Sequence, residues 1–281
     1  MRSAPLDCLV YVDPSSRGDW ALALAALLPE RERRAFHLLA TAEDLKKHPD
    51  LLERAAARLA GAQSVRPVTR AGPPRRAVVL EAQERSYDVV VVPPAGRNAV
   101  QRLFKGSRVA TVVRSVRAPV LVARRPPSRL DRILAAVSGG AATDAVVAAA
   151  DELATGPNGH VDYLHVASEV ALPFAPHESP APPALGLPPD ALHSAQAALA
   201  RAGGSGALVV REGMVVDEVL DAFEAGAYDL LVVGASAEAD RGRLGREDVT
   251  QRMVLGCPGS TLVVPASRLR PGAGAGQDRS Q

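Results

Sequence analysis

The sequence predicts an α/β protein built as two tandem, doubly wound domains, each with a five-stranded parallel sheet flanked by helices. Three observations predict it. Short runs of β-branched residues recur, the purest being Val89-Val90-Val91-Val92, and an unbroken apolar run of that kind suits a strand covered on both faces. Segments with helical spacing of apolar residues separate these runs. The whole order then repeats after residue 130, which is the mark of duplicated supersecondary units. Alternating strands and helices imply right-handed crossovers and a parallel sheet.

In the first half, Leu6–Val12 is an apolar run that ends in the turn cluster Asp13-Pro14-Ser15-Ser16. Ala21, Leu24, Ala25 and Leu28 then mark one helix face, and Phe36–Ala40 is the second strand. Residues 43–60 are charged and helical. Ser64–Thr69 is the third strand, and Gly72-Pro73-Pro74 opens a helix faced by Val78, Val79 and Ala82, with proline suited to the first turn. After Val89–Val92 comes a loop, then a helix faced by Val109, Val112, Val113 and Val116, then the strand Pro119–Ala123.

The second half repeats this order. Arg132–Val137 is a strand ending in Ser138-Gly139-Gly140, followed by a helix faced by Val146, Ala149, Ala150 and Leu153. His160–Ala167 and Ala207–Val210 are strands, and Gly213 opens a helix faced by Val215, Val216, Val219, Leu220 and Phe223. Leu230–Val233 is the buried fourth strand, Val249, Thr250, Met253 and Val254 begin the last helix face, and Thr261–Val264 closes the unit. The domains are read as residues 1–125 and 130–266. A basic, Pro-rich linker near Arg124–Ser128 joins them, and a tail at 267–281 is expected to be disordered. A Pro-rich stretch at 171–190 is expected to be a surface loop.

Composition narrows the function. The chain carries 33 basic and 31 acidic residues, a formal net charge of +2, which excludes a general nucleic-acid or membrane-surface binder with a dominant basic face. No apolar run approaches the ~20 residues that span a bilayer, and the N-terminus shows no signal-peptide core. Cys8 and Cys257 sit in apolar contexts, as buried thiols in a reducing compartment do. A cytoplasmic protein is expected.

Doubly wound sheets bind ligands beyond the carboxyl ends of their strands. In the first half, Asp13 and Ser15 follow the first strand there, and the sequence Pro93-Pro94-Ala95-Gly96-Arg97 follows the fourth. After nine intervening residues, Gly96 is followed by Gly106, Ser107 and Arg108. Glycine lets backbone amides approach a phosphate closely, and Ser107 would open a helix whose free amides form an anion site. From Pro93 to Arg117 there is no acidic residue, while Arg97, Arg102, Lys105, Arg108, Arg114 and Arg117 are basic. By themselves these features point to an anion.

The second half departs from the pattern. Gly234 stands where Pro93 does, but Ala237 replaces Gly96, Glu247-Asp248 replace Gly106-Ser107, and Ser138 replaces Asp13. Two carboxylates suit a helix N-terminus and repel a phosphate, so this half reads as a non-binding repeat. His37 and His165 are read as matching positions in the two second strands, with a role in the fold. Trp20 is read as packing. No Walker loop and no nucleophile elbow occurs.

With these motifs, the chain resembles the universal stress protein family in a tandem, two-domain, Rossmann-like form. Its nucleotide-binding members carry Gly, two residues, Gly, nine residues, then Gly and Ser or Thr after the fourth strand. Gly96, Gly106 and Ser107 match that pattern, Pro93 replaces its first glycine, and Asp13 matches the family's aspartate after the first strand. The resemblance implies ATP or ADP as ligand, with Mg2+ left open, and a non-catalytic stress-response role. It also implies association through last strands, here Pro119–Ala123 with Thr261–Val264 inside one chain, with a further homodimer left open. The alternatives are a nucleotide-free interaction scaffold and a slow ATP hydrolase.

Overall fold

The computed structural model describes residues 6–29, 34–59, 62–93, 115–138, 142–154, 158–167, 206–235 and 249–265, with isolated helical positions at 193, 196, 197 and 200. In the first half these form β1 (Leu6–Tyr11), α1 (Gly18–Ala26), β2 (Arg34–Thr41), α2 (Ala42–Lys47), α3 (Leu51–Ala57), β3 (Ser64–Arg70), α4 (Pro74–Glu84), β4 (Val89–Val92) and β5 (Val120–Val122). In the second half they form β6 (Arg132–Ala136), α5 (Thr143–Leu153), β7 (His160–Ala167), β8 (Leu208–Glu212), α6 (Val215–Ala225), β9 (Leu230–Gly234), α7 (Val249–Gly256) and β10 (Ser260–Val264).

All ten strands join one sheet in the order β3-β2-β1-β4-β5-β10-β9-β6-β7-β8. Within each half the pairing is parallel; the halves meet where β5 and β10 pair antiparallel, Leu121 opposite Leu262. The expected union of last strands is therefore internal to the chain. Side chains lock it. The Ser260 hydroxyl donates to the Arg124 carbonyl and accepts from the Arg124 amide, each at 3.0 Å. The Arg124 guanidinium donates to the carbonyls of Leu255 (3.1 Å) and Cys257 (2.5 Å), a cation placed at the C-terminal end of α7.

The expected elements form for the expected reasons, with two adjustments. The 43–60 helix is two helices, α2 and α3, because Pro49 follows His48 and disfavours helical backbone in the residue before it. α2 is capped by the Thr41 hydroxyl, which accepts from the Asp44 amide at 3.1 Å. The helix after Gly213 starts two residues later, at Val215, since Gly213 adopts φ +144°, outside the helical region. Of the helix expected between β4 and β5, only the C-terminal end near Val116 lies among the described residues.

Apolar layers cover both faces of the sheet, and each spans both halves. One gathers Cys8, Val10, Phe36, Leu121, Ile133, Tyr163 and Leu262; the other gathers Leu9, Tyr11, Val90, Leu134, Phe223 and Val263. Trp20 packs on the first, as expected. Both cysteines are buried free thiols. Among the described residues, no helix is long and apolar enough to cross a membrane.

The matching of His37 with His165 is corrected by the register. The Asp88 carboxylate accepts from the Asp7 amide, and the Asp229 carboxylate accepts from the Arg132 amide, so Asp7 corresponds to Arg132. Leu9 faces His37 in one half, and Leu134 faces Asp162 in the other. His37 thus corresponds to Asp162, and His165 to Ala40. Each meets the matching tyrosine: the Tyr87 ring lies edge-on to His37, and the Tyr228 hydroxyl donates to Asp162 at 2.7 Å.

Two predictions follow from the fold's internal bonds. Leu121 is fully buried at the seam, so Leu121→Ala should cost about 2–5 kcal/mol. Urea titration followed by circular dichroism should show both halves losing stability in one transition. The second concerns Glu81, buried on α4, which accepts from the Tyr87 hydroxyl (2.6 Å) and from Arg70 (2.7 Å). Burial pushes its pKa up, but these bonds outweigh burial and hold it below the ordinary value. A lowered folded-state pKa means stability that is present above the unfolded pKa and lost as pH falls through the folded one. Glu81→Gln should therefore lower the melting temperature at pH 7 and flatten its decline between about pH 5 and pH 3.

Candidate functional site

In each half the crossovers reverse direction at the first strand, between its two neighbours. The first half runs β3-β2-β1-β4-β5 and the second β8-β7-β6-β9-β10. The crevice between β1 and β4, and its counterpart between β6 and β9, is the position where open α/β sheets hold ligands.

In the first half β1 and β4 pair directly, with Val10 opposite Val91. Extending that register by two brings Val12 beside Pro93, so Asp13 follows the sheet at the crest where β4 ends. Asp13 is partly buried and Ser15 exposed. The Asp13 carboxylate accepts from the Ser15 amide at 2.7 Å, and the Ser15 hydroxyl accepts from the Arg17 amide at 3.3 Å. Both side chains shape the turn into α1, a role open to Asp at such a position. Gly96, Arg97, Gly106, Ser107 and Arg108 lie outside the described residues, as do Ala237, Glu247 and Asp248 of the second half.

The turn is set by close packing. A Cβ at Gly18 would lie 1.9 Å from the Asp13 carbonyl oxygen, so a side chain there must push the loop off α1. Beside it, a depression of about 170 Å3 is lined by Asp13, Ser15, Asp19, Arg54 and Arg58. Arg58 pairs with Asp19 at 3.3 Å and Arg54 with Asp50 at 3.0 Å.

Two residues before Asp13, β1 ends on Tyr11, which packs in the apolar layer with Leu9, Leu39, Val90 and Val92. Its ring is buried and its hydroxyl donates to Asp44 at 3.1 Å. Burial, then the Asp44 carboxylate, push the phenol far above its ordinary pKa, so Tyr11 is a neutral packing group. Sequence reasoning passed over this residue, since one tyrosine at the end of an apolar run carries no signal until the register places it.

The second-half crevice differs. By the same register Ala136 replaces Tyr11, Ser138 replaces Asp13, His165 replaces Ala40, Val166 replaces Thr41 and Gly234 replaces Pro93. A cavity of about 330 Å3 opens there, walled by the ends of β6, β7 and β9 and by α5, α6 and α7. No motif in the sequence of this half marks the cavity, because its lining residues are scattered over three strands and three helices.

Comparison with known proteins agrees with this architecture. The model of the Universal stress protein family matches residues 2–124 and again residues 129–265. The chain belongs to that family. A universal stress protein from Archaeoglobus fulgidus superposes with a TM-score of 0.69 at 15% identity, covering 92% of this chain and 96% of that one. A putative universal stress protein from Pseudomonas aeruginosa gives 0.63 at 14% identity, over 93% and 94%. The cytoplasmic domain of a prokaryotic cation chloride cotransporter gives 0.54 at 13% identity, over 94% and 96%. At these identities the likeness is one of fold. No curated protein matches the sequence.

Gly18→Ala should cost about 1–3 kcal/mol through overpacking, measured by urea midpoint. A midpoint unchanged from the parent would mean the Asp13 turn does not depend on this close approach.

Proposed function

We propose that this universal stress protein is a non-catalytic regulatory module that binds an adenine nucleotide, ATP or ADP, at the crest of its first domain. What supports the reading is the β1–β4 register, which extends to Val12 beside Pro93, with Asp13 next in sequence on one side and Gly96, Gly106 and Ser107 following at the family's spacing on the other. In this reading Asp13 and Ser15 lie at the base, ribose or metal end. Gly96, Arg97, Gly106, Ser107 and Arg108 surround the phosphates, where helix-opening amides and a basic stretch favour anions. Pro93 lacks an N–H, so the phosphates rely on the later part of the loop. Binding to one conformation stabilises it by mass action, and that stabilised state is the signal in a cytoplasmic stress response.

The competing reading is a nucleotide-free scaffold of the same fold, favoured by the Asp13 carboxylate being engaged in its own turn. Calorimetric titration of the purified chain with ATP, with chromatography of anything released on denaturation, separates the two. Heat at micromolar to millimolar ATP, or released adenine nucleotide, is expected. Neither signal would favour the scaffold. Gly106→Glu, which introduces the second domain's carboxylate, should abolish the heat of binding while the melting temperature of the unliganded protein stays within a few degrees. A phosphate-release assay should show no turnover above background.

A further inference from the structure

The cavity of the second domain has the location of a ligand site, and its described lining is apolar rather than basic. None of its described lining residues carries a fixed charge, and most are apolar: Ala136, Val146, Leu164, Val219, Val233 and Met253 among them. Among the described lining residues no cation offsets the desolvation that burying a polyphosphate would cost. At about 330 Å3, the space falls within the range of small-molecule pockets, which are mostly apolar with a few polar groups that set orientation.

Those polar groups are present. The His165 ring is buried and donates through Nδ1 to the Val137 carbonyl at 2.8 Å, which fixes the ring on the cavity wall. Nε2 is the ring's second polar atom. Thr143 is 3% exposed and lines the same cavity, and its hydroxyl has no hydrogen-bond partner among the described residues. A buried hydroxyl left unpaired is costly, and a ligand's polar atom would remove that cost. Thr250, also on the wall, instead spends its proton on the Gly234 carbonyl at 3.0 Å.

We propose that the second domain binds a small, uncharged, mainly apolar molecule carrying one or two hydrogen-bonding groups, in the cavity that the replacement of Tyr11 by Ala136 opens. The duplicated domains have thus diverged in ligand class. This inference is independent of the nucleotide reading, since it uses no residue of the first-domain loop.

N-phenyl-1-naphthylamine, a neutral aromatic amine that brightens in apolar surroundings, is a direct probe of the full-length chain. Saturable, blue-shifted fluorescence with one site per chain is expected, unaffected by millimolar ATP. Ala136→Tyr, which restores the first domain's ring, should weaken probe binding at least about tenfold, a change of about 1.4 kcal/mol. If that variant fails to fold, Val215→Trp serves instead, because Val215 is only partly buried on the cavity wall and tolerates a larger group. Absence of saturable binding, full affinity in the folded variant, or displacement of the probe by ATP would each overturn the proposal.

Discussion

The antiparallel pairing of β5 with β10 is the interaction on which the molecule depends. Each half alone is a five-stranded sheet whose last strand, three to five residues long, would present unpaired amides and carbonyls at an edge. An edge of that kind, made from Val120-Leu121-Val122 or Leu262-Val263-Val264, is both apolar and adhesive. Pairing the two satisfies both sets of backbone groups and lets the apolar layers run across the join without a break. Arg124 and Ser260 add polar bonds where the linker leaves β5. The seam also fixes where function can lie. Because both last strands pair with each other, the two crevices lie on opposite sides of the seam, β1–β4 on one and β6–β9 on the other.

Duplication then allows divergence. The strand frame is the same in both halves, down to the aspartates that anchor the first strand through Asp88 and Asp229. What differs is a handful of side chains where the strands end. A tyrosine at the end of β1 fills space; an alanine at the end of β6 leaves it open. An aspartate shapes the turn after β1, and a serine follows β6. Tyr11 and Ala136 are the last residues of β1 and β6, while Asp13 and Ser138 lie just past them, so these substitutions alter the crevice and leave the strand pairing the same in both halves.

The fold was legible in the sequence because β-branched runs and helical spacing report burial directly. Val89–Val92 and Leu230–Val233 read as covered strands and are covered strands. The union of last strands was expected from the family resemblance alone; the residues of the two strands did not by themselves name each other as partners. Helix breaks were less legible: His48-Pro49 divides one charged helical stretch into two, where composition alone reads it as continuous. The sites were the least legible. Motif spacing marked Asp13 and the Gly96–Ser107 loop, but it could not show Tyr11, His165 or Thr143 converging on the crevices. Those positions acquire meaning only through register, and register also separated His37 from His165, whose common residue type had suggested equivalence.

The seam has a consequence for assembly. The two free borders of the sheet are β3 and β8, and they are unlike. β3 carries Pro67, which offers no amide, flanked by Arg66 and Arg70; proline and charge blunt a border against further strand addition. β8 instead exposes Val209 and Val210 and has no proline. Among the described residues the tandem chain is therefore a ribbon with unlike ends: the centre is closed by the internal join, the β3 border is blunted by proline and charge, and the β8 border lacks the proline.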